Sequence, residues 1–201
     1  MMSKSVIFDV GRVLFHWDLR HLFGQLIADP VELEWFVTHV ISPEWHFQHD
    51  AGRDLDSMLA ERIAEFPDHA SLIRAYRARF NETIPGPVDG MHDLVRDLHR
   101  GGVPLFVISN FGAEFWDNFR PTQPIFDLFD DLLISGREKL IKPDPAIYRL
   151  ALDRFGLTPE QALFIDDVPA NIAGAESVGI AGHVFTEAAS TRDWLRGHGV
   201  L

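Results

Sequence analysis

The sequence predicts an α/β fold: a three-layer, doubly wound parallel sheet with a small helical segment inserted after the first strand. Two observations carry this. From about residue 84 onward, short apolar runs alternate regularly with helical patterns, the signature of strands connected by crossover helices. Between residues 16 and 83, strand signals nearly vanish while helical spacings recur.

The first run, 5–8, holds Val6-Ile7-Phe8 and ends at Asp9. Runs at 104–109, 132–135, 163–165 and 182–185 share its character. They are rich in Val, Ile, Leu and Phe, as parallel strands are when both faces are covered. In the inserted segment, Leu19, Leu22, Phe23 and Leu26 fit one helix face, with Asp18 as its cap. Asp29-Pro30 interrupts, and 31–40 reads as a second helix. Leu55, Met58, Leu59, Ile63 and Phe66 predict a third, and Ile73, Tyr76 and Phe80 a fourth. Trp45, His46, Phe47 and His49 read as a connecting stretch between helices. With His16 and Trp17 it either lines a substrate entrance or packs the insertion onto the core; the histidine spacing is no zinc ligand set. Pro85, Gly86 and Pro87 mark the return to the sheet.

The later helices follow in order. Residues 88–100 place Met91, Leu94, Val95 and Leu98 on one stripe, stopped by Gly101-Gly102. Phe115, Trp116 and Phe119 fit a helix facing the core. Residues 146–155 stop at Gly156, and 171–178 at Gly179. Thr158-Pro159-Glu160-Gln161 resembles a capping box with proline in the first helical position. The expected division is an α/β core of residues 1–15 and 84–201, with residues 16–83 as a helical cap over the carboxyl ends of the strands, where open parallel sheets bind ligands.

Composition narrows the function. The chain has 201 residues, 46% of them hydrophobic, enough for a packed core. A net charge of −12 argues against broad nucleic-acid binding through phosphate contacts. There is no cysteine, hence no disulfide, thiolate metal site or cysteine nucleophile. No apolar stretch approaches membrane length. The expectation is a soluble cytoplasmic protein, monomer or homodimer, with no membrane and no nucleic-acid partner.

Polar residues stand where the predicted strands end: Asp9, Ser109-Asn110, Lys142 before Pro143, and Asp166-Asp167. Alone, each is an ordinary turn, cap or surface residue. Parallel strands place their carboxyl ends on one rim, so together these groups can converge. Asp9 and Asp166 can share Mg²⁺, which prefers oxygen ligands. An aspartate so placed can attack phosphorus, while Lys142 and the Ser109 hydroxyl balance charge on the transferring group.

The pattern resembles the haloacid dehalogenase-like superfamily. Phe8-Asp9-Val10-Gly11-Arg12-Val13-Leu14 resembles its first motif, and Ile108-Ser109-Asn110 its second. Lys142-Pro143-Asp144-Pro145 with Ile147-Tyr148 resembles the third. Phe164-Ile165-Asp166-Asp167, followed by Asn171 and Gly174-Ala175, resembles the fourth. The likeness spans nearly the whole chain and implies a Rossmann-like core with a cap. Within the capped subgroup it is nearest to bacterial α-D-glucose-1-phosphate phosphatase-like proteins. It implies an Mg²⁺-dependent phosphatase acting on a small phosphorylated metabolite, sugar phosphates being the first expectation. Asp9 would be nucleophile and metal ligand, the Gly11 carbonyl a second ligand and Asp166 a third, supported by Asp167. Ser109, Asn110, Lys142, Gly11 and Arg12 would bind the phosphate end. Most such phosphatases carry an aspartate where Gly11 stands, acting as general acid and base. Its absence keeps two alternatives in view: a metal-free 2-haloacid dehalogenase, and a catalytically silent phosphate-ligand binding protein.

Overall fold

The computed structural model describes residues 4–201. Five strands, β1 (Ser5–Phe8), β2 (Leu105–Ser109), β3 (Asp131–Ile134), β4 (Ala162–Asp166) and β5 (Ala181–Val184), form one parallel sheet in the order β3-β2-β1-β4-β5. The central strands are buried along their whole length, which is why their sequences are continuously apolar. β5 lies at the edge and is only half-buried.

Side chains alternate across the sheet and feed two apolar clusters. Val6, Phe8, Leu105 and Val107 face α6 (Met91–Arg100) and α11 (Ala188–Gly197) through Leu94, Val95, Leu98 and Leu195. Ile7, Phe106, Ile108 and Phe164 face α9 (Pro145–Phe155) and α10 (Pro169–Glu176) through Ile147, Tyr148, Ile172 and Ala175. Helix, sheet and helix are the three layers. α7 (Ala113–Phe119) and the single turn α8 (Ser135–Glu138) complete the connections. Phe115, Trp116 and Phe119 on α7 are buried in the core, as their spacing predicts.

Between β1 and β2 the chain is helical. It forms α1 (Leu19–Phe23), α2 (Pro30–Trp35) continued by a wider turn at Phe36–Val40, α3 (Pro43–Asp50), α4 (Leu55–Glu65) and α5 (Ala70–Ala78). Asp18, Asp29 and Asp54 cap α1, α2 and α4 by accepting backbone N–H groups. Their apolar residues, including Phe23, Phe36, Met58 and Tyr76, join the first cluster of the sheet without a break.

Several boundaries differ from the sequence reading, among them α1, which ends before Leu26, and α5, which ends before Phe80; three departures have a clear local reason. Residues 43–50 are a helix rather than a connection, opened by Ser42 and Pro43. Their buried stripe is Trp45, His46, His49 and Asp50, too polar to show as hydrophobic periodicity. α6 starts at Met91 because Gly90, at φ 74°, takes the left-handed conformation that ends the preceding turn. The capping box at Thr158 is present, but it opens only a single 3₁₀ turn, since β4 begins at Ala162.

Gly174 on α10 lets the loop carrying Lys142 lie against the helix. A Cβ there would sit 2.4 Å from the Pro143 carbonyl oxygen and 2.9 Å from the Tyr148 ring. Backbone cannot swing aside as a flexible side chain can. Gly174→Ala is expected to lower stability by about 1–3 kcal/mol in urea unfolding; a loss within measurement error would contradict this packing.

Candidate active site

β1 is the central strand, and the chain leaves it for β2 and β3 on one side and for β4 and β5 on the other. The carboxyl end of β1 is therefore a topological switch point, where a crevice opens. Asp9 stands there, one residue past β1. Its N–H donates to the Ile165 carbonyl at 2.9 Å, which ties it to the end of β4. Asp166 ends β4 itself and is fully buried.

Lys142 joins the two acids. Its Nζ lies 2.8 Å from Asp9 Oδ1 and 2.6 Å from Asp166 Oδ2. Burial pushes this ammonium down, but Asp166 and Asp9 together outweigh that and hold it above its ordinary range. Asn110 fixes the loop from which Lys142 reaches in. Its amide donates to the Lys142 carbonyl at 3.0 Å and its side-chain oxygen accepts the Lys142 N–H at 2.8 Å.

Asp166 is held from the other side as well. The Asn171 amide donates to both its carboxylate oxygens at 3.0 Å, and the Val168 N–H donates to Oδ1 at 2.8 Å. The Tyr148 hydroxyl in turn donates to the Asn171 carbonyl at 2.7 Å. Asp9 Oδ1 accepts the Val10 N–H at 2.7 Å, whereas its Oδ2 carries no hydrogen bond among the described residues. Burial pushes the Asp9 carboxyl up to about 7, with Asp166 adding to the rise and Lys142 opposing it. Asp167 is half-buried and also raised, by burial first and by Asp166 second.

Asp9, Asp166 and Asp167 each offer an oxygen within 4.8 Å of the others. Three carboxylates thus cluster where one buried ammonium contacts two of them, an arrangement short of positive charge. The donors are hard, anionic oxygens, the set that Mg²⁺ selects. No hydrogen bond ends on the Gly11 carbonyl among the described residues, so it too is an available oxygen at the cavity wall.

The cluster forms one end of a cavity of about 530 Å³. Gly11, Arg12, Asn110, Lys142 and Asp167 line that end. Arg12 takes a left-handed φ of 60° and lays its guanidinium over the Trp17 ring at 5.4 Å. Ser109 is buried at the tip of β2, beside the cavity rather than in its wall. The aromatic stretch of α3 divides between roles. His46 and Phe47 reach the cavity with His16 and Trp17, while Trp45 and His49 pack against Tyr76 and Phe115.

Sequence reasoning left Asn171 and Tyr148 without roles, though both stand in the quoted motifs. It also missed Ser135. That hydroxyl accepts the Phe111 N–H at 3.0 Å and donates to the Asp50 carbonyl at 2.6 Å, joining α3 to the loop after β2. Only the position of a small hydroxyl at a strand end pointed to it.

The family model of the haloacid dehalogenase-like hydrolases matches residues 6–179. The chain belongs to this family. Sesquiterpene phosphatase astK of Aspergillus oryzae is 26% identical to this hydrolase over 96% of its chain and 95% of the relative. Validoxylamine A 7'-phosphate phosphatase of Streptomyces hygroscopicus subsp. limoneus is 28% identical over 64% of the chain and 63% of its own. A family enzyme from Bacteroides thetaiotaomicron, solved with magnesium and inorganic phosphate, shares the fold. Its TM-score is 0.72 at 20% identity, covering 92% of this hydrolase and 95% of that chain. No helix among the described residues is long and apolar enough to cross a membrane.

Replacing Lys142 by Met keeps the stem's bulk but leaves two buried carboxylates facing each other. Breaking a buried ionic cluster in this way costs about 3–5 kcal/mol. Lys142→Met is expected to lose that much in urea unfolding at pH 7 with chelator present; wild-type stability would show that the ammonium does not hold the two acids together.

Proposed function

We propose that this hydrolase cleaves the phosphate monoester of a small metabolite through an aspartyl-phosphate on Asp9, with Mg²⁺. One observation supports the reading above the others: three carboxylates and the Lys142 ammonium meet at one end of a cavity with room for a small organic molecule. Two relatives that carry phosphatase in their names support it as well. In this reading residues 16–83 are a cap, whose α3 supplies part of the cavity wall.

Asp9, the Gly11 carbonyl and Asp166 would hold Mg²⁺, with Asp167 beside them. When bound, the ion supplies positive charge where the phosphoryl group is transferred. Asp9 attacks phosphorus through Oδ2, the oxygen free of hydrogen bonds. The bond from phosphorus to the ester oxygen breaks, and that oxygen leaves with its electron pair and takes a proton from solvent. Lys142, aided by the backbone N–H of Gly11 and by the Ser109 hydroxyl behind the wall at the tip of β2, offsets charge on the phosphoryl oxygens. Asn110 acts through the Lys142 backbone. Water then attacks the aspartyl-phosphate at phosphorus. The bond to Asp9 breaks, the carboxylate is restored and inorganic phosphate departs.

A dehalogenase reading has a 30% identical relative in its favour, (S)-2-haloacid dehalogenase of Pseudomonas sp. (strain YL), matched over 54% of this chain and 50% of that one. A metal-free reaction would use Asp9 as nucleophile but gives Asp166 and Asp167 no metal to hold, so phosphoryl transfer is preferred. Asp9→Asn is expected to reduce Mg²⁺-dependent phosphate release from phosphorylated metabolites to background. It is also expected to abolish inhibition by beryllium fluoride. Full turnover by the variant would end the covalent mechanism, and chloride release from a 2-haloacid without metal would favour the dehalogenase.

Gly11 offers a second test. A Cβ at this position meets nothing within 4 Å. The general acid that glycine cannot provide is therefore expected to fit. Gly11→Asp should speed hydrolysis of esters with poor leaving groups, by up to roughly 10²-fold to 10⁴-fold, and hydrolysis of acetyl phosphate much less. An equal change on both substrates would show that the added carboxyl does not protonate the leaving group.

A further inference from the structure

The phosphate end of the cavity is charged, but its other walls are of a different kind. Phe15, Trp17, Phe47, Phe80, Phe111 and Ile141 surround the space where the organic half of an ester would lie. Phe47 is 47% exposed, at the rim, and the others are largely withdrawn from solvent.

The polar residues of this wall have little to offer a ligand. His46 is buried between Trp17, whose ring stacks at 5.0 Å and 26°, and Phe80, at 5.9 Å and 13°. Both of its nitrogens are engaged: Nδ1 with the Tyr76 hydroxyl at 2.6 Å, and Nε2 with Asp50 at 3.3 Å. Burial pushes the ring down to about 4, so it is uncharged at neutral pH. It behaves as another aromatic plate. Asn110 spends its amide on the Lys142 backbone. Among the described residues of this wall, His16 and Glu44 keep exposed polar ends, and Asp50, whose Oδ2 pairs with His46, keeps one buried oxygen without a hydrogen-bond partner.

A sugar ring placed here would surrender the water around its hydroxyls and find few partners, which costs free energy for each group left unpaired. An apolar group would displace water from aromatic walls at no such cost. A volume of about 530 Å³ suits an extended group rather than a two- or three-carbon one.

Building on the phosphatase reading, we propose that the natural substrate is the monophosphate of an apolar alcohol, with an extended alkyl, prenyl or aryl-alkyl chain held between the aromatic residues of the cap and the loop after β2. Arg12 and Lys142 would anchor its anionic head, and Trp17, Phe47 and Phe80 its body.

The test is a homologous series, ethyl through octyl phosphate, run beside glucose 1-phosphate, ribose 5-phosphate and acetyl phosphate with wild-type enzyme and Mg²⁺. kcat/KM is expected to rise about fourfold per added methylene until the cavity fills. The sugar phosphates are expected at least roughly 100-fold below octyl phosphate. Phe47→Ser is expected to cut the gain from ethyl to octyl phosphate about tenfold. A flat series, sugar phosphates matching octyl phosphate, or an undiminished gain in the variant would each overturn the proposal. Calorimetric titration with the non-hydrolysable n-alkylphosphonates separates this from the chemistry. If no ester releases phosphate, acetyl phosphate included, the hydrolytic reading fails. Phosphonate affinity then decides the wall by itself: tightening with chain length supports an apolar ligand, and constant affinity overturns it.

Discussion

The ammonium of Lys142, buried between Asp9 and Asp166, is the contact on which the rest of the site depends. Two carboxylates at adjacent strand ends repel each other, and burial deepens the penalty. One cation placed between them makes their proximity tolerable. It needs a rigid loop, which Asn110 supplies through paired backbone contacts, and close packing of that loop on α10, which Gly174 permits. Asn171 and Tyr148 extend the support to the helices behind Asp166. The sheet thus brings the acids together, and the second apolar layer keeps them aimed.

One cation does not satisfy three acids. The deficit that remains is what draws a divalent ion in the proposed mechanism; the Asp9 carboxyl is raised by burial first, with Asp166 adding to the rise. The opposite end of the cavity is mostly aromatic, with Glu44 exposed and Asp50 paired to His46. In the proposed reading recognition is divided along the cavity's length, with electrostatics at the sheet and apolar contact at the inserted helices. Each part of the chain contributes what its composition suits: strand ends supply polar groups, and α3 and the loops supply rings.

Much of this was legible in the sequence because parallel strands announce themselves twice. Their apolar runs are unbroken, and polar residues follow at their ends. Asp9, Lys142 and Asp166 could be predicted to meet for that reason, and they do. α3 was not legible, because its buried face is built from histidine and aspartate as well as tryptophan and hides from hydrophobic periodicity. Nor did sequence alone disclose that Asn110 turns toward the Lys142 backbone, or that Asn171 grips both oxygens of Asp166. Those are matters of side-chain direction, which spacing along a chain does not carry. The interior character of the cavity was hidden similarly, since its walls come from segments far apart in the chain.

The apolar cluster that runs unbroken from the sheet through Phe23, Phe36 and Tyr76 has a mechanical meaning. Helices joined to the sheet by a shared oily interior cannot part from it without wetting that interior. Opening the inserted helices away from the sheet would therefore carry a cost in exposed apolar surface. The inserted helices and the sheet are accordingly expected to melt together in one thermal transition.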